Sequence, residues 1–265
     1  MCCGLAHLPM VERKETPKTK PGIQRALHKH APRLQASTTV PMAMFAACRR
    51  FELTYWRLGL KIASEWRARA QLPPKPEWAD TLKRLAEPTT VPGRDNYSKA
   101  YAINGNCYGF PHSAVPRPGQ HKCSGAYQSH PLFLGALGMI NGAAVHPPLD
   151  SQTFNSTLSY SIAGWDWSGT WGWDYPLWAF AQMRMGWDSS SVVDMLLRNE
   201  TKNFYWSNGH DYETPFLPVY LPGNGGLLSA VAMMAGGFMD GEGKPVEVGF
   251  PKSWRASVEG FKPYP

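Results

Sequence analysis

No stretch of the 265-residue chain approaches the ~20 consecutive apolar residues that a membrane-crossing helix needs, so no membrane partner is expected. Met1–Pro9 has no charged start followed by an apolar run, the pattern of a secretory signal. Cysteine is scarce. Cys2, Cys3, Cys48, Cys107 and Cys123 make five, an odd number that excludes complete internal pairing. No spacing among them resembles a zinc site, and neither metal nor cofactor is expected. Cys107 and Cys123 flank a Pro/Gly/His-rich loop and are candidates for a disulfide if the compartment is oxidising. Cys2-Cys3 is a minimal palmitoylation pattern. Gly-x-Ser-x-Gly, His-Glu-x-x-His and a phosphate-cradling strand–loop–helix are all missing, which removes the common nucleophile-elbow, zinc-protease and nucleotide-binding readings.

Most of the chain also lacks an excess charge of either sign. The formal net charge is +7, but residues 1–50 hold nine Lys/Arg against two Asp/Glu, while residues 51–265 hold eighteen of each. The body therefore has no electrostatic footprint for a phosphate backbone, and nucleic acid is not an expected partner. Residues 1–40 scatter Lys, Arg, His and Pro without apolar periodicity and read as a disordered basic leader. Residues 41–265 read as one domain. Three sequons, at Asn96, Asn155 and Asn199, exceed the about one that nine asparagines would supply by chance, and they favour a secreted ancestry.

The chain is rich in apolar and aromatic residues, 43% and 12%, which is enough for a sizeable core. From Met42 to Ala70 the pattern is helical. Phe51, Tyr55, Leu58, Ile62 and Trp66 form one apolar stripe, and Leu53, Trp56, Leu60 and Ala63 form a second. A helix apolar on two faces is expected to lie between neighbours. A short helix follows over Glu77–Leu85. Residues 87–129 read as loop, and a loop of that length in a compact domain is functional or disordered. Helices are expected again from His130-Pro131 to Met139, over 151–163 after the cap Asp150, over Pro176–Met185, around 192–197 after Asp188 or Ser189, and over Leu227–Ala235. Trp206–Tyr220 reads as loop, Gly223-Asn224-Gly225-Gly226 as a tight turn, and Val246–Phe250 with Trp254–Val258 as a short strand pair. The expected class is all-α, with about seven antiparallel helices whose loops carry the chemistry.

One stretch stands apart. Residues 165–178 hold five of the eleven tryptophans, interleaved with Asp166, Asp174, Gly169 and Gly172. The rings recur with neither the period of a helix nor that of a strand, so a turning backbone is expected to present rings and carboxylates together. Aromatic faces stack on sugar C–H surfaces, while carboxylates bind hydroxyls or move protons. The plain alternative is a packed corner with capping aspartates.

Several segments together resemble the six-hairpin, (α/α)6-toroid glycosidases, in particular relatives of the acid trehalase and maltose phosphorylase family. They are Phe51–Leu60, His130-Pro131, Trp171-Gly172-Trp173-Asp174-Tyr175-Pro176, Asn208-Gly209-His210 and Tyr220–Leu228, spread over residues 51–265. The resemblance implies a partial toroid, the C-terminal portion of a longer enzyme, with a small C-terminal strand pair. It implies inverting hydrolysis or phosphorolysis of an oligosaccharide or glycoside in a funnel at the helix ends. Relatives carry an acid before His-Pro, where Ser129 stands here, and no glutamate occurs around Lys99–Tyr101. A non-catalytic carbohydrate-binding remnant and a purely structural helical domain are therefore the alternatives.

Glycoside cleavage needs two carboxyl groups about 5 to 9.5 Å apart. The candidates are Asp166, Asp174, Asp211 and Glu213, and Asp166 with Glu213 form the chosen catalytic pair. Asp166 lies between two tryptophans, whose desolvation would raise its pKa as suits a general acid. Trp165, Trp167, Trp171, Trp173 and Tyr212 are the expected sugar platform, assisted by Asp174 and His210. Asp174 is also a possible N-cap for the helix after it, His210 a possible partner for a loop carbonyl, and His130 is read as structural.

Overall fold

The computed structural model describes residues 49–88, 90–92, 99–101, 130–165, 167–198 and 202–265. The chain divides into the units Met1–Val40 and Pro41–Pro265. The first, with the basic leader, lies outside the described residues, as do all five cysteines, Asn96, Asn199 and Asp166.

Among the described residues the second unit contains six α-helices: α1 Arg49–Arg69, α2 Pro76–Arg84, α3 Ser151–Gly164, α4 Asp174–Arg184, α5 Ser189–Leu196 and α6 Leu221–Gly236. Three antiparallel strand pairs accompany them: β1 Thr90–Pro92 with β2 Lys99–Tyr101, β3 Phe204–Tyr205 with β4 Asp211–Tyr212, and β5 Phe238–Met239 with β6 Pro245–Val246. The class is all-α with small strand pairs.

The core is built around α4, every residue of which is buried. Trp178 and Tyr175 have no exposed surface, and Phe180 has 1%. The Trp165 and Trp178 rings meet edge-on at 5.1 Å, and Phe133 closes on both. A ring system as large as Trp178 removed from water contributes about 4–6 kcal/mol of apolar burial. α5 and α6 both pack on α4. Caps fix where helices begin. Asp150 accepts from the Thr153 N–H at 2.7 Å ahead of α3, and Asp188 accepts from the Ser190 N–H at 2.9 Å ahead of α5. Asn203 then donates to the carbonyls of Leu196 and Arg198, which turns the chain from α5 into β3.

Six expectations are corrected. His130–Met139 forms only a 3₁₀ turn over Leu132–Ala136, because Gly135 lies under the Phe51 ring and Gly138 against the backbone of Ala181. The loop Trp206–Tyr220 contains strand β4, which pairs back onto β3. The sequence 87–129 holds β1 and β2. α6 begins at Leu221, so the four residues read as a tight turn lie inside its first two turns. The C-terminal strand pair is β5–β6, while Trp254–Val258 has no strand. On α1 neither apolar stripe is buried as a whole, Leu60 being the one fully buried member of either. Thr54, Arg57 and Leu60 face inward, and Arg57 donates to the carbonyls of Leu85 and Ala86. Tyr55, Trp56, Ile62 and Trp66 are exposed.

Candidate functional site

The alternation of a strand places Asp211 and Glu213 on one face of β4 and its extension, with Tyr212 on the other. The inner face turns to the core, so Asp211 is 0% and Glu213 1% exposed, while Tyr212 stays half-buried beside Trp206 at 6.0 Å. Tyr205 is the cross-strand partner of Asp211, and its hydroxyl is buried without a hydrogen-bond partner.

Opposite this face lies the turn Trp171-Gly172-Trp173 at the head of α4. Its first two N–H groups are donated to two different carboxylates. Trp171 N donates to Asp174 Oδ2 at 2.9 Å, and Gly172 N donates to Glu213 Oε2 at 2.8 Å. Asp174 is thus the first residue of the helix rather than its cap, the position before it being Trp173. Its buried carboxylate also meets His130 Nδ1 at 3.1 Å from both oxygens. This contact fixes the orientation of the His130 ring. The Glu213 Oε1 atom has no hydrogen-bond partner, and the Lys202 Nζ lies 4.0 Å from it.

Asp211 is held by its backbone alone. Its N–H donates to Asn224 Oδ1 at 3.1 Å and its carbonyl accepts from Tyr220 N at 2.8 Å, which ties β4 to the start of α6. Neither carboxyl oxygen has a hydrogen-bond partner. Two glycines make room for it, since a Cβ at Gly172 or Gly223 would run into Asp211 Oδ2. This close approach is why a glycine-rich segment starts α6.

Three buried carboxyl groups in one place cannot all stay ionised. Burial, reinforced by Glu213, pushes Asp211 up to about 7. Burial also raises Glu213, opposed by the Gly172 N–H and by Lys202. Asp174 is raised for the same reason, opposed by the Trp171 N–H and His130. Burial and the three carboxylates push the Tyr220 hydroxyl up to about 12.

The outer edge of this cluster is aromatic and partly open. His130 has a side chain 39% exposed and lies 4.6 Å from the Trp173 ring and 5.7 Å from the Trp171 ring. Lys202 Nζ stands 4.8 Å over Trp171, which Tyr220 meets edge-on at 5.9 Å.

The residues expected from the sequence divide accordingly. Glu213, Asp174, Trp171 and Trp173 come together. Trp165 does not line this edge; it is a core ring, 6% exposed, and its indole N–H is donated to Thr170 Oγ1. Trp167 stacks on Tyr175 at 5.8 Å, and the Arg198 guanidinium lies 4.0 Å over its ring. His210 is on the exposed turn of the β3–β4 hairpin, where its N–H donates to Asn208 Oδ1. Tyr212 faces outward with Trp206. Asp166 lies outside the described residues. Lys202, Tyr205 and Tyr220 are not among the expected site residues, His130 is expected only as a structural residue, and Asp211 is a candidate carboxylate outside the chosen pair; the Asp211-x-Glu213 alternation is the one local signal for the cluster.

Among the described residues no group of three or more His, Cys, Asp or Glu is arranged to hold a metal ion, and no helix is long and apolar enough to cross a membrane. No family model, curated protein or solved structure matches the chain.

Proposed function

We propose that this chain is a carbohydrate-active, glycoside hydrolase-like protein. On this reading it takes a glycoside at the edge formed by Trp171, Trp173 and His130 and moves protons through the carboxylates beneath. The observation that supports it best is the cluster itself: Asp174, Asp211 and Glu213, each 1% exposed or less, lie under two half-buried tryptophans. Inverting cleavage needs one carboxyl group that arrives protonated and one that arrives ionised. Asp211 keeps its proton to about 7, and Glu213, itself raised by burial, is the carboxyl group whose ionised form the Gly172 N–H and Lys202 partly support. His130, oriented by Asp174, is the group of the cluster with the most solvent access and carries protons between it and water. The helices then belong to a partial (α/α)6 toroid, and α4 with its partners α5 and α6 forms the floor of the funnel.

A second reading, a sugar-binding protein without turnover, has its own observation. The carboxyl groups are sealed below the rim rather than lining it. The experiment that separates the readings pairs titration calorimetry over a panel of sugars with turnover assays on aryl glycosides and disaccharides. Hydrolysis by the wild type that falls roughly 100-fold or more in E213Q, with sugar binding kept, is the outcome expected of the enzyme. Binding without turnover selects the second reading. Absence of any sugar binding removes both and leaves a structural helical domain.

A further inference from the structure

The orphaned carboxyl oxygens of the cluster are Asp211 Oδ1, Asp211 Oδ2 and Glu213 Oε1, and each can accept when ionised. Their residues are 0% and 1% exposed. What such a place lacks is a donor, and preferably a charged one. The protein supplies this only in part. Lys202 Nζ is 4.0 Å from Glu213 Oε1, close enough for charge attraction and too far for a hydrogen bond. The same ammonium stands 4.8 Å over the Trp171 ring, on a face that a sugar would otherwise take. Its side chain is 27% exposed and rides on a flexible four-carbon stem, so it can leave toward water without unfolding anything.

Charge points the same way. Facing the space between Trp171 and β4 are Asp174, Asp211, Glu213, Tyr205 and Tyr220, with the His130 ring and the ammonium of Lys202 opposite them. If Lys202 swings out, carboxyl groups and ring faces remain. A phosphate or a uronic acid would meet repulsion there, whereas an ammonium would find both a π face and an unsatisfied carboxylate oxygen.

We propose that the face of Trp171 above Glu213 is an ammonium subsite, filled in the free protein by Lys202 and taken over in the complex by the amino group of an amino sugar. The inference rests on the reading of this edge as a sugar site and gives that site its substrate class. The exchange is non-covalent: the ligand ammonium, with three donors, reaches Glu213 Oε1 while Lys202 moves into solvent. It also favours water over phosphate as the attacking group, because phosphate would have to enter beside Glu213 and Asp174.

The test is calorimetric, at pH 6, where glucosamine is protonated. Glucosamine, N-acetylglucosamine and glucose are titrated into the wild type, K202M and E213Q, and melting curves of K202M and the wild type are recorded with and without methylammonium chloride. Glucosamine is expected to bind about tenfold tighter than the two neutral sugars, tighter still to K202M, and without preference to E213Q. Methylammonium is expected to raise the melting temperature of K202M and leave the wild type unchanged. Neutral sugars binding as tightly as glucosamine would overturn the ammonium subsite while the sugar reading stands. If no sugar binds the wild type or K202M, the sugar reading fails and the assignment of an amino sugar fails with it. Methylammonium then decides the subsite alone, with stabilisation of K202M retaining it and no effect overturning it. The wild-type comparison needs no variant to fold.

Discussion

Asp211 is a carboxyl group without a hydrogen-bond donor, wedged between two glycines, and its proton is therefore part of the folded state. The folded protein holds this proton up to about 7, whereas the unfolded chain releases it near 3.8. The stabilisation it contributes is complete below 3.8 and is lost as the pH rises through about 7, a change of a few kcal/mol. Thermal melts from pH 4 to pH 8 should show a decline that D211N, which mimics the protonated group, lacks for the most part. An equal decline in both proteins would mean that other groups carry it. The tryptophans offer a second contrast at this scale. Trp165→Ala should cost about 3–5 kcal/mol in denaturant unfolding, because the ring packs against Phe133 and Trp178. Trp173→Ala should cost about 1 kcal/mol or less and instead weaken sugar binding.

Among the elements, those that announce themselves locally were legible in the sequence. α3 and α5 begin where Asp150 and Asp188 stand before a polar turn, and both caps are made. Asp150→Ala should lower stability by about 1 kcal/mol, seen as a shifted denaturation midpoint with an unchanged slope. What stayed hidden is set by distant partners. The glycines that open α6 look like turn residues, yet two of them are required by close approach, Gly223 to Asp211 and Gly226 to Pro176. The β3–β4 strands have two residues each, too short for alternation to be read with assurance, although that alternation is what buries Asp211 and Glu213 together. His130 reaches Asp174 across 44 residues and Gly172 reaches Glu213 across 41, and no local pattern encodes such meetings. The periodicity of α1 was correct as helix and misleading as burial, because Arg57 turned inward to hold the end of α2.

At the scale of the molecule, the described residues leave several large apolar side chains uncovered. Tyr55, Trp56, Ile62 and Trp66 are exposed on α1, and Phe216 is 93% exposed beyond the hairpin. Apolar patches of more than a few hundred Å² mark association surfaces. Sedimentation should accordingly show concentration-dependent self-association, reduced in a Tyr55→Ser/Trp66→Ser variant whose melting temperature is nearly that of the wild type. At the same scale, the N–H groups of Trp171 and Gly172 sit in an irregular turn, where amides ordinarily trade hydrogen with water within moments. Here each is locked to a buried carboxylate, one from α4 and one from the extension of β4. Release of the Gly172 amide requires the head of α4 and the hairpin to part, so this loop amide should exchange as slowly as those in the middle of α4. In deuterium-exchange spectra it forms a built-in clock for that separation, and a hundredfold faster exchange at Gly172 in E213Q would show that Glu213 winds it.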